Sequence, residues 1–224
     1  MIRYALFDID NTLIDFGESA KIAMPRLFEK MGYPYTHEVP QLYRKINAPL
    51  WASLERGEIT GVYLRSIRWG LICKELGIEC DSVAMEAEYA EQLANVAVVI
   101  DGAPELLKYL KDKGFTIAIA SNSYQAQQER RIKLAGLDKY IDYYFTSMDM
   151  GVEKPSREFF ERCFERLGNP PKDEMIMIGD SLTADVDGGN GVGIKTIWFD
   201  KFKTNAQNDA TYCVTSLRDI MKIL

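Results

Sequence analysis

Two aspartates separated by one residue follow the first apolar segment of the chain. Asp8 and Asp10, with Thr12 two positions further on, come directly after the apolar run 2–7. A turn after a strand would bring the two carboxylates close together, and like charges at that distance resist joint ionisation. A divalent cation relieves part of this conflict, and a proton kept on one carboxyl makes that group a general acid. The pair is therefore a candidate for metal and acid/base chemistry, although Asp-rich segments are also common turn formers.

A hydroxyl, an amide and a lysine further along the chain have the chemistry of a phosphate site. Ser121 and Asn122 follow the apolar run 115–120, and a hydroxyl with successive backbone N–H groups at such a turn can bind phosphate oxygens. Residues of these types serve more often as the N-cap of the next helix. Lys154 precedes Pro155, which keeps the lysine extended, and an ammonium in that turn would neutralise charge on a phosphoryl group.

Two more aspartates follow a later apolar segment, 175–178. Asp180 and Asp185 stand five positions apart across what reads as a strand-to-helix turn. Carboxylates placed in this way can serve one cation, one directly and the other through water, and such hard oxygen ligands favour Mg²⁺ over zinc. Asp185 suits equally the first turn of a helix, where the helix dipole favours an acidic residue. The segment is a candidate metal site.

The elements that must position these residues alternate between strands and helices. The predicted strands are the apolar runs 2–7, 115–120, 143–145, 175–178 and 194–199. Helical segments of about ten residues separate the later strands, which predicts an α/β fold with a doubly wound parallel sheet. Because ligands bind beyond the carboxyl ends of such strands, we expect the polar residues that follow them to share one site.

The segment 16–97 has a different pattern from the rest of the chain. Its apolar residues recur at helical spacing, no strand pattern interrupts it, and glycines divide it into four or five predicted helices. We therefore predict a core domain formed by 1–15 and 98–224, with an all-helical domain, 16–97, inserted into it.

Composition restricts the class of protein. The 224 residues are 47% hydrophobic and 27% charged, as in globular proteins, and no stretch approaches the ~20 apolar residues of a membrane helix. With 27 Lys and Arg against 33 Asp and Glu, the net charge of −6 disfavours binding to nucleic acid or acidic membranes. One histidine, His37, and the lack of a Cys-x-x-Cys pair exclude the usual zinc sites. We expect a cytoplasmic protein whose proton transfers and metal ligands come from carboxylates.

Four segments follow predicted strands in this order: the one with Asp8 and Asp10, the one with Ser121, the one with Lys154, and the one with Asp180 and Asp185. Together they resemble the motifs of the haloacid dehalogenase (HAD) superfamily of aspartate-nucleophile phosphatases, and the resemblance covers essentially the whole chain. The resemblance implies a Rossmann-like core with a helical cap inserted between the first and second motifs. It implies that Asp8 is the nucleophile and Asp10 the general acid/base. Mg²⁺ would then bind Asp8, the Asp10 carbonyl and Asp180, with Asp185 in support. The residues assigned to phosphate binding are Thr12, which also supports its loop, Ser121, Asn122 and Lys154.

Shorter patterns resemble the pyrimidine 5′-nucleotidase branch of this superfamily. They are 46–51, 55–60, Leu64 and Arg68-Trp69 in the cap, Gln128 and Arg131 after Ser121, and 188–190 with 196–198 near the end. This likeness implies a pyrimidine nucleoside 5′-monophosphate as the substrate. Trp51, Tyr63 and Trp69 are candidates to stack on a base, although aromatic residues at helical spacing more often form the core of a cap.

Other functions fit the same motifs. Sugar phosphates, phosphoglycolate and acylneuraminate 9-phosphate are alternative substrates, and a phosphomutase would use the same core. A dehalogenase is disfavoured, because that chemistry does not need the acid at Asp10. A phospho-accepting signalling module also uses Asp, Ser or Thr, Lys and magnesium, but it is shorter, uncapped and places its acceptor mid-chain. We therefore expect a small-molecule phosphate ester as partner, no nucleic acid polymer, no membrane, and a monomer or homodimer.

Overall fold

The computed structural model describes residues 1–224, and the chain forms two compact units. One unit combines Met1–Phe16 with Ala97–Leu224, and the other is Gly17–Val96. The function of the second unit as a cap stays a prediction. None of the helices combines the length and the apolar character needed to cross a membrane.

Four helices build the unit Gly17–Val96. They are α1 (Phe16–Met31), α2 (Val39–Glu55), α3 (Gly61–Glu75) and α4 (Ser82–Ala94). Side-chain caps start two of them: Thr60 accepts a hydrogen bond from Tyr63 N at 3.2 Å, and Asp81 accepts one from Val83 N at 2.9 Å. Trp69 is fully buried between helices, with its ring centroid 4.9 Å from that of Tyr89. Trp69 therefore belongs to the core of this unit and is not a surface on which a base can stack.

The larger unit is built on a six-stranded sheet. Its strands are β1 (Tyr4–Phe7), β2 (Thr116–Ser121), β3 (Tyr143–Thr146), β4 (Met175–Gly179), β5 (Lys195–Phe199) and β6 (Tyr212–Val214). They lie in the order β3-β2-β1-β4-β5-β6, and every neighbouring pair is parallel. The predicted parallel sheet is confirmed, whereas β6 was not predicted.

Helices cover both faces of this sheet. They are α5 (Ala103–Asp112), α6 (Gln125–Leu134), α7 (Ser147–Met150), α8 (Arg157–Arg166), α9 (Gly188–Val192) and α10 (Leu217–Ile220). Because side chains alternate along a strand, Ala5 and Phe7 pack on one face with α5, α6 and α10, and Leu6 packs on the other with α8 and α9. The sheet is therefore doubly wound and buried on both faces, which explains why its strands read as continuous apolar runs.

The two chain segments that join the units pair with each other inside the larger unit. Asp15 N donates to Val98 O at 2.7 Å, and Ile100 N donates to Leu13 O at 3.0 Å. The Asp15 carboxylate also forms an ion pair with Lys201, whose Nζ lies 2.6 Å from Asp15 Oδ2. The chain thus leaves and re-enters this unit at one defined place.

Candidate active site

Three strands that lie side by side end in residues predicted to do chemistry. Asp8 follows β1, Ser121 ends β2, and Asp180 follows β4. Since β2 and β4 flank β1 and all three run parallel, their carboxyl ends meet at one edge of the sheet. That edge is the usual ligand-binding edge of an open α/β sheet.

Lys154 lies at the centre of this edge. Its Nζ donates to Asp8 Oδ1 at 2.9 Å and to Asp185 Oδ1 at 2.6 Å, and the residue is only 2% exposed. A buried ammonium is stable only when carboxylates or other acceptors compensate for its lost hydration. The two ion pairs therefore fix Lys154 beside Asp8, where a solvated surface lysine would move freely.

The side chain of Asn122 supports the lysine loop. Its Oδ1 accepts from Lys154 N at 2.8 Å, and its Nδ2 donates to Lys154 O at 2.9 Å. These two bonds clamp the backbone that presents the ammonium. The Asn122 side chain is therefore engaged with the lysine loop, and its predicted contact with phosphate stays a prediction.

Asp185 reaches the site through an unusual turn after β4. A π-helix, Leu182–Asp187, follows Ser181, and the Asp185 carboxylate folds back to accept from Ser181 N at 3.0 Å. The carboxylate then lies directly over Gly179, where an added Cβ would be 2.0 Å from Asp185 Oδ2. Glycine is required at position 179 because any side chain would displace the partner of Lys154.

The loop after β1 turns sharply. Asn11 has a φ of 62°, and the N–H groups of Thr12 and Ile14 donate to the Ile9 carbonyl at 3.2 Å and 2.9 Å. Thr12 is fully buried and its hydroxyl has no hydrogen-bond partner. This burial argues against the predicted direct contact between the Thr12 side chain and phosphate, and favours a role inside the loop of Asp8.

Asp10 is bound by two residues of α6. Arg131 Nη1 donates to Asp10 Oδ1 at 2.6 Å, and Gln128 Nε2 donates to Asp10 Oδ2 at 3.1 Å. The same Nε2 lies 3.1 Å from Ser121 Oγ. Gln128 therefore joins the predicted acid/base residue to the predicted phosphate-binding hydroxyl.

Burial and crowding shift the protonation of this site. Burial raises the pKa of Asp8 to about 7, Lys154 opposes that rise, and Asp185 and Asp10 add to it. Burial likewise raises the pKa of Asp180 well above its usual value, with Asp8 contributing. Burial alone would lower the pKa of Lys154, but the carboxylates of Asp185 and Asp8 raise it above the ordinary value. Lys154 therefore stays cationic, whereas Asp8 and Asp180 give up their protons less readily than isolated carboxyl groups.

Comparison with known proteins assigns this arrangement to a family. A family model described as haloacid dehalogenase-like hydrolase matches residues 2–193. The chain belongs to the haloacid dehalogenase-like hydrolases. YfnB of Bacillus subtilis (strain 168), named as a HAD-hydrolase, is 34% identical over 99% of this chain and 95% of its own length. The crystal structure of YfnB bound to magnesium aligns at a TM-score of 0.91 and 33% identity, covering 100% of this chain and 98% of YfnB.

Two relatives of this haloacid dehalogenase-like hydrolase are named as pyrimidine 5′-nucleotidases. PynA of Streptococcus pneumoniae (strain ATCC BAA-255 / R6) is 31% identical over 99% of this chain and 94% of its own length. YjjG of Escherichia coli (strain K12) is 28% identical over 99% of this chain and 97% of its own length. The likeness therefore extends over both units of the chain.

The acidic cluster of this hydrolase fits a divalent cation. Carboxylate oxygens of Asp8, Asp180 and Asp185 all lie within 4.8 Å of one another. When ionised, the three groups carry three negative charges and Lys154 supplies one positive charge, which leaves two negative charges uncompensated. Carboxylate oxygens are the hard ligands that Mg²⁺ prefers, and its charge equals the uncompensated charge. The donor set therefore matches the predicted ion.

The structure also shows which site residues the sequence did not reveal. It brings Asp8, Lys154, Asp180 and Asp185 together directly, and it joins Asp10 to Ser121 through Gln128. The sequence marks Gln128 and Arg131 only through the family pattern, although both are fully buried. Their signal was the spacing of seven and ten residues after Ser121, which places both on the helix face turned toward the strand end.

Proposed function

We propose that this protein hydrolyses phosphate monoesters through an aspartyl phosphate on Asp8, with Mg²⁺ bound at the acidic cluster. The observation that carries the proposal is the 2.9 Å contact between Lys154 Nζ and Asp8 Oδ1 at the carboxyl edge of the sheet. A carboxylate nucleophile and a phosphoryl group repel each other, and a fixed cation between them lowers that repulsion. Family membership among the haloacid dehalogenase-like hydrolases supports the same chemistry.

In the first step, an oxygen of Asp8 attacks phosphorus while the bond from phosphorus to the ester oxygen breaks. Asp10 gives a proton to the departing oxygen, which leaves as an alcohol. In the second step, Asp10 takes a proton from water, and the water oxygen attacks phosphorus. The bond between phosphorus and Asp8 then breaks, which releases inorganic phosphate and regenerates both carboxyl groups.

The remaining residues bind and neutralise the phosphoryl group. Ser121 and Lys154 would donate to its oxygens, with Asn122 holding the lysine loop in place. Asp8, Asp180 and the Asp10 carbonyl would hold Mg²⁺, with Asp185 fixed behind them by its bond to Lys154. When bound, the ion neutralises charge on the phosphoryl oxygens.

For the substrate we propose a nucleoside 5′-monophosphate, with pyrimidine nucleotides preferred. Two relatives named as pyrimidine 5′-nucleotidases match nearly the whole chain, which supports this class. The phosphoryl site accepts any small monoester, so the preference must come from residues outside it. The aromatic candidates for a base contact are Trp51, which is half-buried, and Tyr63, which is 52% exposed.

Phosphate release from a panel of esters tests the activity. We expect turnover of nucleoside 5′-monophosphates with Mg²⁺ and none with EDTA, and no turnover by Asp8→Asn. Peptide mass spectrometry of acid-quenched wild type should find a phosphoryl group on Asp8 and on no other residue. Stoichiometric phosphorylation without turnover would instead identify a phospho-accepting signalling module, and activity unaffected by EDTA would contradict the metal assignment.

A further inference from the structure

The side-chain amide of Gln128 has one orientation that suits its neighbours. Its Oε1 is 3.0 Å from Arg131 Nη1, and its Nε2 is 3.1 Å from both Asp10 Oδ2 and Ser121 Oγ. A guanidinium only donates hydrogen bonds, so the amide atom that faces Arg131 must be the oxygen. Nε2 therefore faces Asp10 and Ser121 and donates to both.

This donation fixes the polarity of the Ser121 hydroxyl. Because Ser121 Oγ accepts from Gln128, the hydroxyl proton points elsewhere, and no acceptor within the protein takes it. Ser121 is 2% exposed and ends β2, beside the strand that carries Asp8. A buried hydroxyl with an unused donor is suited to a phosphoryl oxygen, which only accepts.

Arg131 holds Gln128 in this orientation. It lies three residues further along α6, on the same face of the helix, and it is fully buried. Its Nη1 also donates to Asp10 Oδ1 at 2.6 Å, so one charged group anchors both Gln128 and Asp10. The guanidinium cannot lose its proton, and it therefore acts as a permanent donor to Oε1.

We propose that Gln128, held by Arg131, is a positioning residue that turns the Ser121 hydroxyl into a dedicated donor to the phosphoryl group. The inference rests on the proposed function, because it assumes that Ser121 meets phosphate. It adds a residue that does not touch the substrate and that acts on substrate affinity through another side chain.

Inorganic phosphate is the probe, since it reports on the phosphoryl site and carries no leaving group. Its inhibition constant against para-nitrophenyl phosphate, with kcat and KM, is measured in Mg²⁺ for wild type, Gln128→Met, Gln128→Glu, Ser121→Ala and the Ser121→Ala/Gln128→Met double variant. Gln125→Met is the matched control. It makes the same change in the same helix, at an amide whose bond is to Glu129.

Gln128→Met should weaken phosphate binding by roughly tenfold, because the Ser121 hydroxyl is no longer held as a donor and can turn away from the phosphoryl oxygen. Gln128→Glu should weaken it further. Its carboxylate keeps the contact with Arg131 but accepts the Ser121 proton, which reverses the polarity of the hydroxyl. Gln125→Met should stay within about twofold. With Ser121→Ala already present, Gln128→Met should change phosphate affinity by less than about threefold, because Nε2 then donates only to Asp10 and the phosphoryl contact through Ser121 is already absent.

Equal losses from Gln128→Met in the wild-type and Ser121→Ala backgrounds would overturn the inference and leave the phosphatase intact. A wild type that neither hydrolyses esters nor binds phosphate would overturn the proposed function, and the inference with it. Thermal melting of each variant separates these results from unfolding. If Gln128→Met does not fold, the question is decided by comparing Gln128→Glu, which keeps the Arg131 contact, with a Ser121→Ala/Gln128→Glu double variant.

Discussion

Lys154 Nζ lies 2.9 Å from Asp8 Oδ1, although 146 residues separate the two along the chain. The contact depends on β1 lying at the centre of the sheet and on Asn122 clamping the lysine loop from the end of the neighbouring β2. One ammonium thereby compensates a buried carboxylate in the resting protein and faces the position where a phosphoryl group would meet that carboxylate. The same ion pair therefore contributes to the free energy of unfolding and to the proposed reaction, and the two effects can be measured separately.

Replacing Asp8 by Asn should abolish turnover while the fold persists. The amide has nearly the shape of the carboxylate but lacks the anionic nucleophile, so we expect a loss on the order of 10³-fold or more in kcat. Phosphate release measures the loss, and circular dichroism with thermal melting checks the fold. Asp173→Asn, the same change at an exposed residue, is the control and should be active. Activity of Asp8→Asn within tenfold of wild type would refute the nucleophile.

Replacing Lys154 by Met should destabilise the protein as well as inactivate it. The change leaves the buried carboxylates of Asp8 and Asp185 without their cation, and breaking a buried ion pair costs about 3–5 kcal/mol. Urea unfolding in EDTA measures the free energy. Lys111→Met is the control, because that lysine forms a partly exposed pair with Asp142, and it should cost about 1 kcal/mol or less. If both variants lower the free energy of unfolding by the same amount, the buried ion pairs of Lys154 contribute no more to stability than an exposed pair.

Replacing Gly179 by Ala should impair the site without touching a charged residue. The new Cβ would lie 2.0 Å from Asp185 Oδ2, so the carboxylate must move and the contact with Lys154 is disturbed. Overpacking of this kind costs about 1–3 kcal/mol, and activity should fall with it. Gly191→Ala is a matched control in α9, where an added Cβ meets nothing within 4 Å and alanine favours the helix. The idea fails if both variants keep wild-type activity and stability.

The sequence revealed the sheet more fully than the site. Five strands are largely apolar and mostly buried, so their pattern is strong, whereas β6 has three residues, two of them exposed, and could not be distinguished from a loop. The strand ends then placed Asp8, Ser121 and Asp180 at one edge of the sheet. Which side chains make contact there depends on strand order and on loop conformation, and local sequence contains neither.

Helix α6 shows why part of the site escaped prediction. Its sequence is strongly polar and is typical of a solvated surface helix, yet Gln128 and Arg131 are fully buried beneath Asp10. Hydrophobic periodicity identifies the buried face of a helix by its apolar residues. It therefore does not detect a face whose buried residues are polar and form ion pairs. Trp69 was open to two interpretations for a related reason, since spacing alone does not separate a core aromatic from one that binds a ligand.

Replacing Asp180 by Asn should change the dependence on magnesium. Asp180 contributes one of the three carboxylates whose oxygens lie within 4.8 Å of one another, and the amide removes one negative charge from that set. The Mg²⁺ concentration for half-maximal activity should therefore rise, by roughly tenfold or more if the carboxylate is a direct ligand. Excess magnesium should restore part of the activity. An unchanged magnesium titration would exclude Asp180 from the metal site.

Substrate preference is the most demanding prediction. The proposed phosphoryl site would contact only the group that all monoesters share, so discrimination would have to come from contacts to the rest of the substrate. A planar base stacked on an aromatic side chain gains on the order of 1–3 kcal/mol. We therefore expect pyrimidine nucleoside 5′-monophosphates to exceed sugar phosphates in kcat/KM by roughly tenfold to a hundredfold, without absolute specificity.

Because Trp69 is fully buried, Trp51 and Tyr63 remain as the predicted aromatic candidates for a base contact. UMP, dUMP and dTMP are compared with glucose 6-phosphate, phosphoglycolate and para-nitrophenyl phosphate in the same magnesium buffer, for wild type, Trp51→Ala and Tyr63→Ala. One of the two variants should lose about tenfold in kcat/KM on nucleotides and little on glucose 6-phosphate, because only the base uses the ring. If wild type treats nucleotides and sugar phosphates alike, the nucleotidase assignment is wrong, and hydrolysis at Asp8 is unaffected by that result.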